Sequence, residues 1–321
     1  MKKGKVIGVI VILAAFALMS LGSGSSDSAA KETKAPASVE TGGAGGTVAA
    51  AEAKEEVKET AEETKAAETE APKTEESIEE QVILDEQGVK ITVKGLDKSG
   101  IMGPLIKLLI ENECGKDITV QARNASVNGY MIETLLSADL VNGKKSNETL
   151  TFSSGDLKRA GISTIADMEF SFHVFESSTW DDIFDSDMIQ LRTSAADSYE
   201  YAFDDSGEVA YEGNGIKVVI KGLDEEDSIF GPGVVVHISN ESDKAITVQT
   251  RDVSVNGFML DPIFSSDVAA GKNAIDSITF MSSQLTENEI ESIEDVELSF
   301  HIIDAKSWDT IQDTETVKIT F

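Results

Sequence analysis

The chain has few of the residues on which enzyme and metal chemistry depends. Its 321 residues include one cysteine and three histidines, and 6% of them are aromatic. The single cysteine, Cys114, excludes an internal disulfide. A zinc site needs three or four close nitrogen, sulfur or carboxylate ligands, which three scattered histidines do not supply by themselves. The composition therefore favours a fold held by an apolar core rather than by cross-links or a structural metal.

Short catalytic motifs are also missing. The sequence contains no G-x-S-x-G nucleophile elbow, no G-x-G-x-x-G dinucleotide loop and no H-E-x-x-H zinc motif. Neither Gly143-Lys144 nor Gly271-Lys272 has the glycine that a phosphate-binding loop carries five positions earlier. We therefore expect a noncatalytic protein without a cofactor.

Positive charge is scarce as well. The chain has 27 lysine and arginine residues against 58 aspartate and glutamate residues, a net charge of −31. Long-range repulsion disfavours binding to nucleic acid or to an anionic surface. Cationic partners and divalent ions are compatible with this charge, and solubility alone is an alternative reason for it.

The longest apolar run lies at the N-terminus. Three lysines precede an apolar segment at residues 6–21, and small residues follow at 22–26. This order is typical of an export signal. The run is shorter than the roughly 20 residues that span a bilayer comfortably. We interpret residues 1–22 as a signal peptide or an uncleaved membrane anchor. Either one places the remainder outside the cytoplasm, secreted or anchored to the outer face of the cell membrane.

The mode of attachment is not that of a lipoprotein. A bacterial lipoprotein carries a cysteine just after such an apolar run, and Ser23 and Ser25 stand in that region instead. We therefore expect membrane contact only through the N-terminal segment itself.

A low-complexity acidic linker follows at residues 23–80. It consists mainly of Ala, Glu, Lys and Thr and contains no aromatic residue, so it cannot bury enough apolar surface to offset its conformational entropy. Residues 49–71 are good helix formers with Glu and Lys at helical spacing. We expect a disordered or partly helical segment, which serves either as a stalk or as a simple tether.

Most of the remaining chain consists of two copies of one sequence repeat. Residues 103–193 pair with residues 231–321 at a constant offset of 128 without a gap, and about 35 of about 91 pairs are identical. Upstream the offset is 127, where GVKITVKGLD matches GIKVVIKGLD. The predicted organisation is repeat 1 at residues 81–193, a connector at 194–207 and repeat 2 at 208–321. The YEYAF and EVAYE stretches around the connector are either a hairpin that supplies the first strand of repeat 2 or an acidic connector.

A β-hairpin is the best-defined element of each repeat. ITVQARNASVNGYM begins at Ile118, and ITVQTRDVSVNGFM begins at Ile246. Apolar and polar residues alternate in both with a period of two. The Asn-Gly pairs at 128 and 256 favour a type I′ turn, in which both central residues have positive φ. The sequence therefore predicts the same hairpin in both repeats.

Further short strands separated by turn residues predict an antiparallel sandwich and an all-β fold class. In repeat 1 the predicted strands are 89–96, 105–113, 117–127, 130–137, 147–153, 168–175 and 188–193. Helical turns are predicted at 156–162 and 284–293. The alternation places in the two cores Ile106, Leu108, Ile110, Phe170, Phe172 and Val174, and Val234, Val236, Ile238, Leu298, Phe300 and Ile302.

One pattern resembles a known family. In each repeat a Gly-Pro pair precedes an apolar strand, which ends in Asn112-Glu-Cys-Gly-Lys116 or Asn240-Glu-Ser-Asp-Lys244 before I-T-V. This pattern is similar to the immunoglobulin-like modules of exported bacterial proteins, which are often lipoproteins of unassigned function. The resemblance implies two tandem immunoglobulin-like β-sandwiches at the cell surface, and it assigns no ligand.

A Trp-Asp cluster recurs in both repeats as a candidate site. It could supply oxygen ligands to Ca²⁺, although EF-hand spacing is absent, or the Trp could pack on the sandwich edge while the Asp residues cap a turn. The residues are Trp180, Asp181 and Asp185, with Asp187 nearby, and Trp308, Asp309 and Asp313.

A second candidate is a polar surface on the predicted sheet. The stripes Thr119-Gln121-Arg123 and Thr247-Gln249-Arg251 contain arginine, which is enriched at binding hot spots. His173 and His301 occupy equivalent positions opposite the core phenylalanines, on a face that we expect to be exposed or half-covered. The alternatives are a ligand surface, a metal ligand from each histidine, or a solvated face with cross-strand ion pairs.

We interpret the chain as an exported protein that presents two immunoglobulin-like modules to a protein or glycan partner in the envelope or medium. One alternative is a structural spacer of the envelope. Another is a calcium-dependent sensor or enzyme that uses the Trp-Asp clusters.

Overall fold

The fold is known from a computed structural model that describes residues 76–201, 203–224 and 229–321. The predicted signal or anchor and all but the last five residues of the predicted linker lie outside these ranges. In the described residues, no helix has the length and hydrophobicity to span a membrane. Strands in antiparallel sheets make up most of this part of the chain, which confirms the all-β class.

Repeat 1 consists of two sheets around one apolar core. Its elements are β1 (Gln81–Glu86), β2 (Val89–Asp97), β3 (Leu105–Asn112), β4 (Ile118–Val127), β5 (Tyr130–Met131), β6 (Thr134–Leu135), β7 (Ser137–Leu140), β8 (Lys144–Phe152), α1 (Ser154–Arg159), β9 (Asp167–Glu176), β10 (Asp182–Asp185) and β11 (Ile189–Arg192). One sheet has the order β1-β2-β3-β8-β6. The other contains β10-β9-β4-β5, with β11 paired to β9 and β7 paired to β4.

Repeat 2 follows the same plan. Its elements are β12 (Glu208–Gly213), β13 (Ile216–Leu223), β14 (Gly233–Asn240), β15 (Ile246–Val255), β16 (Phe258–Met259), β17 (Ser265–Val268), β18 (Lys272–Thr279), α2 (Ser282–Glu287), β19 (Asp295–Asp304), β20 (Thr310–Asp313) and β21 (Val317–Thr320). β12, β13, β14 and β18 continue the sheet that contains β4 and β9, and β15, β16, β17, β19, β20 and β21 form a separate sheet.

The predicted core faces are buried as expected. Every one of the twelve residues assigned to the cores is at most 1% exposed. They fall into two separate apolar clusters, one for each repeat. Alternation along paired strands is therefore sufficient to build both interiors.

The Asn-Gly turns also form as predicted. Asn128 and Gly129 have φ of 49° and 83°, and Asn256 and Gly257 have φ of 50° and 82°. The Asn128 side chain does more than turn the chain, because its Nδ2 donates to Thr164 O at 2.8 Å. Its Oδ1 accepts from the N–H groups of residues 166 and 167, and Asn256 makes the same three bonds in repeat 2.

The motif that carries the family resemblance has a structural role. Asn112 is fully buried, and its Nδ2 donates to Lys116 O at 2.8 Å and Leu140 O at 3.0 Å. Asn240 does the same in repeat 2. The asparagine thus holds the loop that leads into the hairpin.

Some element boundaries differ from the sequence-based expectation. The predicted strand at 130–137 is divided, because the chain pairs first with β4, then with β8 and then again with β4. β1 and β10 were not predicted, since each is held by a neighbouring strand and has no strong apolar alternation. Helix α1 begins two residues earlier than predicted, after Ser153 whose side chain accepts from Asp156 N.

The segments flanking repeat 1 are also packed against it. Ile78, within the predicted linker, is 8% exposed and belongs to the first core. EVAYE, which follows the connector, supplies β12 as the first strand of repeat 2, whereas the described residues of YEYAF form no strand. A continuous ten-stranded sheet nevertheless runs through both repeats, because β5 pairs with β18.

We predict that Asn128→Gly destabilises the protein by about 2–3 kcal/mol, because glycine accepts the turn conformation but loses three hydrogen bonds of about 1 kcal/mol each. Asn256→Gly should behave alike. Urea unfolding measures both changes.

Asn214→Gly is the matched control. Asn214 also has positive φ before a glycine, and its side chain makes one exposed hydrogen bond, to Tyr211 Oη. An equal decrease in the free energy of unfolding for Asn128→Gly and Asn214→Gly would show that the side-chain hydrogen bonds of Asn128 do not stabilise the fold.

Candidate binding face

The candidate residues of each repeat lie on one outer sheet face. In repeat 1 the strand register places Arg123 opposite Ser171, Gln121 opposite His173 and Thr119 opposite Phe175. The register of repeat 2 is the same, with Arg251 opposite Ser299 and Gln249 opposite His301. We call these surfaces the polar faces. Each extends about 13 Å along its strands, at about 3.3 Å per residue.

Each polar face contains a His-Asp pair. His173 Nδ1 lies 2.6 Å from Asp185 Oδ1, and His301 Nδ1 lies 2.5 Å from Asp313 Oδ1. β10 and β20 supply these carboxylates, because each runs antiparallel beside the histidine strand. The pair fixes the ring orientation in both repeats.

An exposed tryptophan stands at the end of each polar face. Trp180 is 72% exposed and Trp308 is 65% exposed. The Trp180 ring stacks on Phe175, with centroids 5.3 Å apart and planes inclined by 16°. Phe175 in turn lies 5.2 Å from the His173 ring. In repeat 1 the polar face and the tryptophan therefore form one continuous surface.

Both tryptophans have an unusual backbone conformation. Their φ values are 65° for Trp180 and 64° for Trp308. This left-handed conformation is rare for a bulky residue and costs about 1–2 kcal/mol relative to the usual one. We call residues 177–181 and 305–309 the Trp turns. Glycine is the usual residue at such a position. Tryptophan in this conformation therefore lowers the stability of each repeat relative to a residue without backbone strain.

Backbone hydrogen bonds close each Trp turn in the same way. Trp180 N donates to Glu176 O, and Glu176 N donates to Asp181 O, both at 2.9 Å. Trp308, Asp304 and Asp309 repeat this pattern with the same distances. The turn therefore places the indole ring in a defined position.

A lysine forms an ion pair with the residue immediately before each Trp turn. Lys116 Nζ lies 2.7 Å from Glu176 Oε2, and Lys244 Nζ lies 3.0 Å from Asp304 Oδ2. Asp304 also accepts from the N–H groups of Ser307 and Lys306. The hydrogen bond from Ser307, the Lys244 ammonium and the hydrogen bond from Lys306 together lower the pKa of Asp304 to about 2.

The arginines lie next to a bulge that is present in both repeats. The β4–β9 register shifts after Arg123, and the β15–β19 register shifts after Arg251. Asn124 and Asp252 take positive φ at these bulges. Ser171 Oγ and Ser299 Oγ donate to the arginine carbonyl oxygens at 3.4 Å, and the arginine side chains are exposed.

The structure thus places Arg123, His173, Asp185 and Trp180 along one face of repeat 1, with Arg123 and Trp180 toward opposite ends. It corrects the expected exposure of His173, which is 6% exposed under Phe175 and Asp185. Asp181 and Asp309 contribute backbone carbonyls to the turns rather than side-chain caps. Among the described residues, no group of three or more His, Cys, Asp or Glu side chains is arranged to hold a metal ion.

Sequence reasoning did not identify the anchoring residues. Lys116 and Lys244 occupy the last position of the N-E-x-x-K pattern, and Glu176 and Asp304 are acidic in both repeats. Their identical offset could have indicated a pair. The positive φ of the tryptophans has no sequence signal, because tryptophan shows no preference for it.

Comparisons with known proteins do not assign a family. No family model and no curated protein matches the chain. Among solved structures, the chain is similar to the YadV chaperone, at 10% identity over 67% of this chain and 92% of that chain with a TM-score of 0.23. It is also similar to a protein of unknown function from Porphyromonas gingivalis W83, at 13% identity over 68% and 91% with a TM-score of 0.19. Likeness at this level supports no conclusion about function.

We predict that Trp308→Gly is more stable than Trp308→Ala by about 0.5–1 kcal/mol, because both variants lose the ring and only alanine keeps the left-handed strain. Thermal unfolding measures the difference. Lys306 is not among the residues with positive φ. Lys306→Ala should therefore be more stable than Lys306→Gly. A more stable alanine variant at position 308 would refute the strain.

We predict that the Asp304 carboxyl titrates near pH 2, where carboxyl-carbon NMR follows it directly. Its folded pKa lies below the unfolded value, so its contribution to stability is complete above about pH 4 and is lost as the pH falls through about 2. Lys244→Ala should move the midpoint upward. A midpoint near 4 in the unmodified protein would show that the turn does not hold this carboxylate.

Proposed function

We propose that this chain is a noncatalytic, exported surface protein that binds a protein or glycan partner through the polar faces and Trp turns of two immunoglobulin-like modules. The observation that carries the proposal is the exposed, left-handed tryptophan, which occurs at the same place in both repeats. A bulky residue held in an unfavourable conformation at the surface is explained by contact with a partner rather than by folding.

The composition of the surface supports a binding role. Tryptophan and arginine are the residues most enriched at binding hot spots, and each polar face carries both. A flat indole ring also stacks on the apolar face of a sugar, while arginine and the His-Asp pair offer hydrogen bonds to hydroxyl or peptide groups. Both tryptophans are largely exposed, which fits a polymer or protein better than a small molecule enclosed in a pocket.

The duplication supports binding at two sites. Two equivalent faces in one chain convert the second binding event into an intramolecular one, so moderate affinity at each face produces strong overall attachment. A repetitive glycan or a multivalent protein array is the kind of partner that gains from this arrangement.

Module type and location rest on sequence and architecture together. Two sheets around a core, built of short antiparallel strands, agree with an immunoglobulin-like sandwich. The basic and apolar N-terminal segment supports export. The continuous sheet that joins the repeats also favours the alternative of a structural spacer. Binding experiments distinguish the two.

We predict that the labelled full chain binds a glycan microarray or a blot of envelope proteins, and that Trp180→Ala and Trp308→Ala each weaken binding. Burial of an aromatic ring contributes roughly 1.5–3 kcal/mol, which corresponds to roughly a 10- to 100-fold loss. The double variant should lose more than either single variant, because each single variant still has one intact face whereas the double variant has none.

Phe258→Ala is the control, since Phe258 is 47% exposed and lies outside both Trp turns. It should leave binding unchanged. If no probe binds, or if the tryptophan variants bind as well as the unmodified chain, the binding proposal fails and the spacer becomes the better account.

A further inference from the structure

We call the contact of β5 and the connector with β14 and β18 the joint between the repeats. It contains a buried histidine without a hydrogen-bond partner in the described residues. His237 is 1% exposed, and neither Nδ1 nor Nε2 has a hydrogen-bond partner within the described part of the chain. Buried polar groups in folded proteins almost always have such partners. An imidazole in this environment is tolerated when neutral, and it becomes costly when it acquires charge.

An aromatic cluster from outside repeat 2 covers this ring. Tyr130 of repeat 1 lies 5.7 Å from the His237 ring, and Phe203 of the connector lies 5.2 Å from Tyr130. Tyr201 packs against both aromatic rings, at 5.6 Å and 5.1 Å. Its hydroxyl donates to Ala160 O in repeat 1. The cover of His237 is therefore also the contact that fixes the connector.

Polar contacts close the joint around this cluster. Asn273 N of repeat 2 donates to Gly129 O of repeat 1 at 2.9 Å. Lys272 Nζ lies 2.7 Å from Glu169 Oε1, again across the joint. Ile275 packs on the core of repeat 1. These contacts, together with the ion pair between Arg159 and Asp224, join the two repeats beside His237.

The residues at this joint differ from their counterparts in repeat 1. In repeat 1 the position equivalent to His237 is Leu109, and the neighbouring row contains the ion pair Glu111–Lys145. In repeat 2 that pair is replaced by Ser239 and Asn273. On the face that the connector covers, repeat 2 therefore carries Ser239 and Asn273 instead of a charged pair, and a histidine instead of a leucine.

The charges that face His237 largely cancel. Lys217 pairs with Asp205 at 2.8 Å, and Lys221 pairs with Asp204 at 3.1 Å. Burial, followed by Lys221, lowers the pKa of His237, and Asp205 and Asp204 oppose this effect. The remaining charged groups around the adjoining cavity are Glu212 of β12, Glu241 after β14 and Lys272 of β18.

A cavity of about 790 Å³ adjoins the ring, between the connector and strands β12 to β14. It gives a protonated imidazole open space to turn into. Leaving the present position would remove the ring that packs against Tyr130, on which Phe203 packs in turn.

We propose that His237 makes the joint acid-labile: when its ring is protonated it leaves the aromatic cover, the connector detaches, and the repeats move independently while each keeps its own core. The inference is independent of what the Trp turns bind. It implies that the spacing of the two polar faces is fixed at neutral pH and released in acid.

The direction of the pH effect on the joint follows from the lowered pKa of His237 in the folded protein. The joint is intact above the ordinary histidine value of about 6.5, and its stability falls as the pH drops below that value. Two carboxylates at the joint act in the opposite direction. Burial raises the pKa of Glu133 and of Asp276, so their protonation stabilises the folded joint in acid. A variant at position 237 is therefore needed to isolate the histidine.

The test is the distance between spin labels at Ser178→Cys and Lys306→Cys in a Cys114→Ser background of the full chain. We predict a single narrow distance at about pH 8 and a broad distribution at about pH 5, with a midpoint below about 6.5. His237→Leu, which introduces the residue of repeat 1, should keep the narrow distance at both pH values. In His301→Gln the distance distribution should broaden at about pH 5 as it does in the unmodified protein.

A narrow distance at about pH 5 in the unmodified protein, or equal broadening in His237→Leu, would overturn the proposal. His237→Gln provides a second neutral side chain in case leucine disturbs packing. Cooperative urea unfolding at about pH 8 verifies that each variant is folded before the distances are compared.

Discussion

Alternation of side chains along the paired strands β4–β9 and β15–β19 is the constraint on which the structure depends. Phe170, Phe172 and Val174 point into the first core, so Ser171, His173 and Phe175 must point outward. The same rule in repeat 2 produces the second core and the second polar face. Stability and the candidate site are therefore opposite sides of the same strands, and a shift of one residue in register would destroy both.

The cores and the hairpin turns could be predicted from the sequence, because alternation and Asn-Gly pairs are local signals with direct physical causes. β10 could not, since its backbone pairing with β9 requires no apolar pattern. The packing of Tyr201 and Phe203 was equally hidden, because it occurs once in the chain and has no counterpart in the other repeat. Of the candidate site, alternation predicts which residues share a strand face, but the lysine anchors, the burial of His173 and the conformation of the tryptophans depend on three-dimensional contacts.

The two repeats serve as an internal comparison of what this fold requires. The Trp turn, its lysine anchor and the His-Asp pair are present in both, although most other surface positions differ. His237 on β14 and Asn273 on β18 differ from their counterparts in repeat 1, and both contact repeat 1. Retained features thus mark the polar faces, and changed features mark the joint.

Tryptophan fluorescence tests the central claim most directly, because the chain contains two tryptophans and both lie in the Trp turns. In the free protein both rings should emit as water-exposed indoles and be quenched readily by acrylamide. In complex with the glycan or protein that the full chain captures, the account predicts a blue-shifted emission and protection from acrylamide. Unchanged emission and quenching in a saturated complex would show that the partner does not contact the Trp turns.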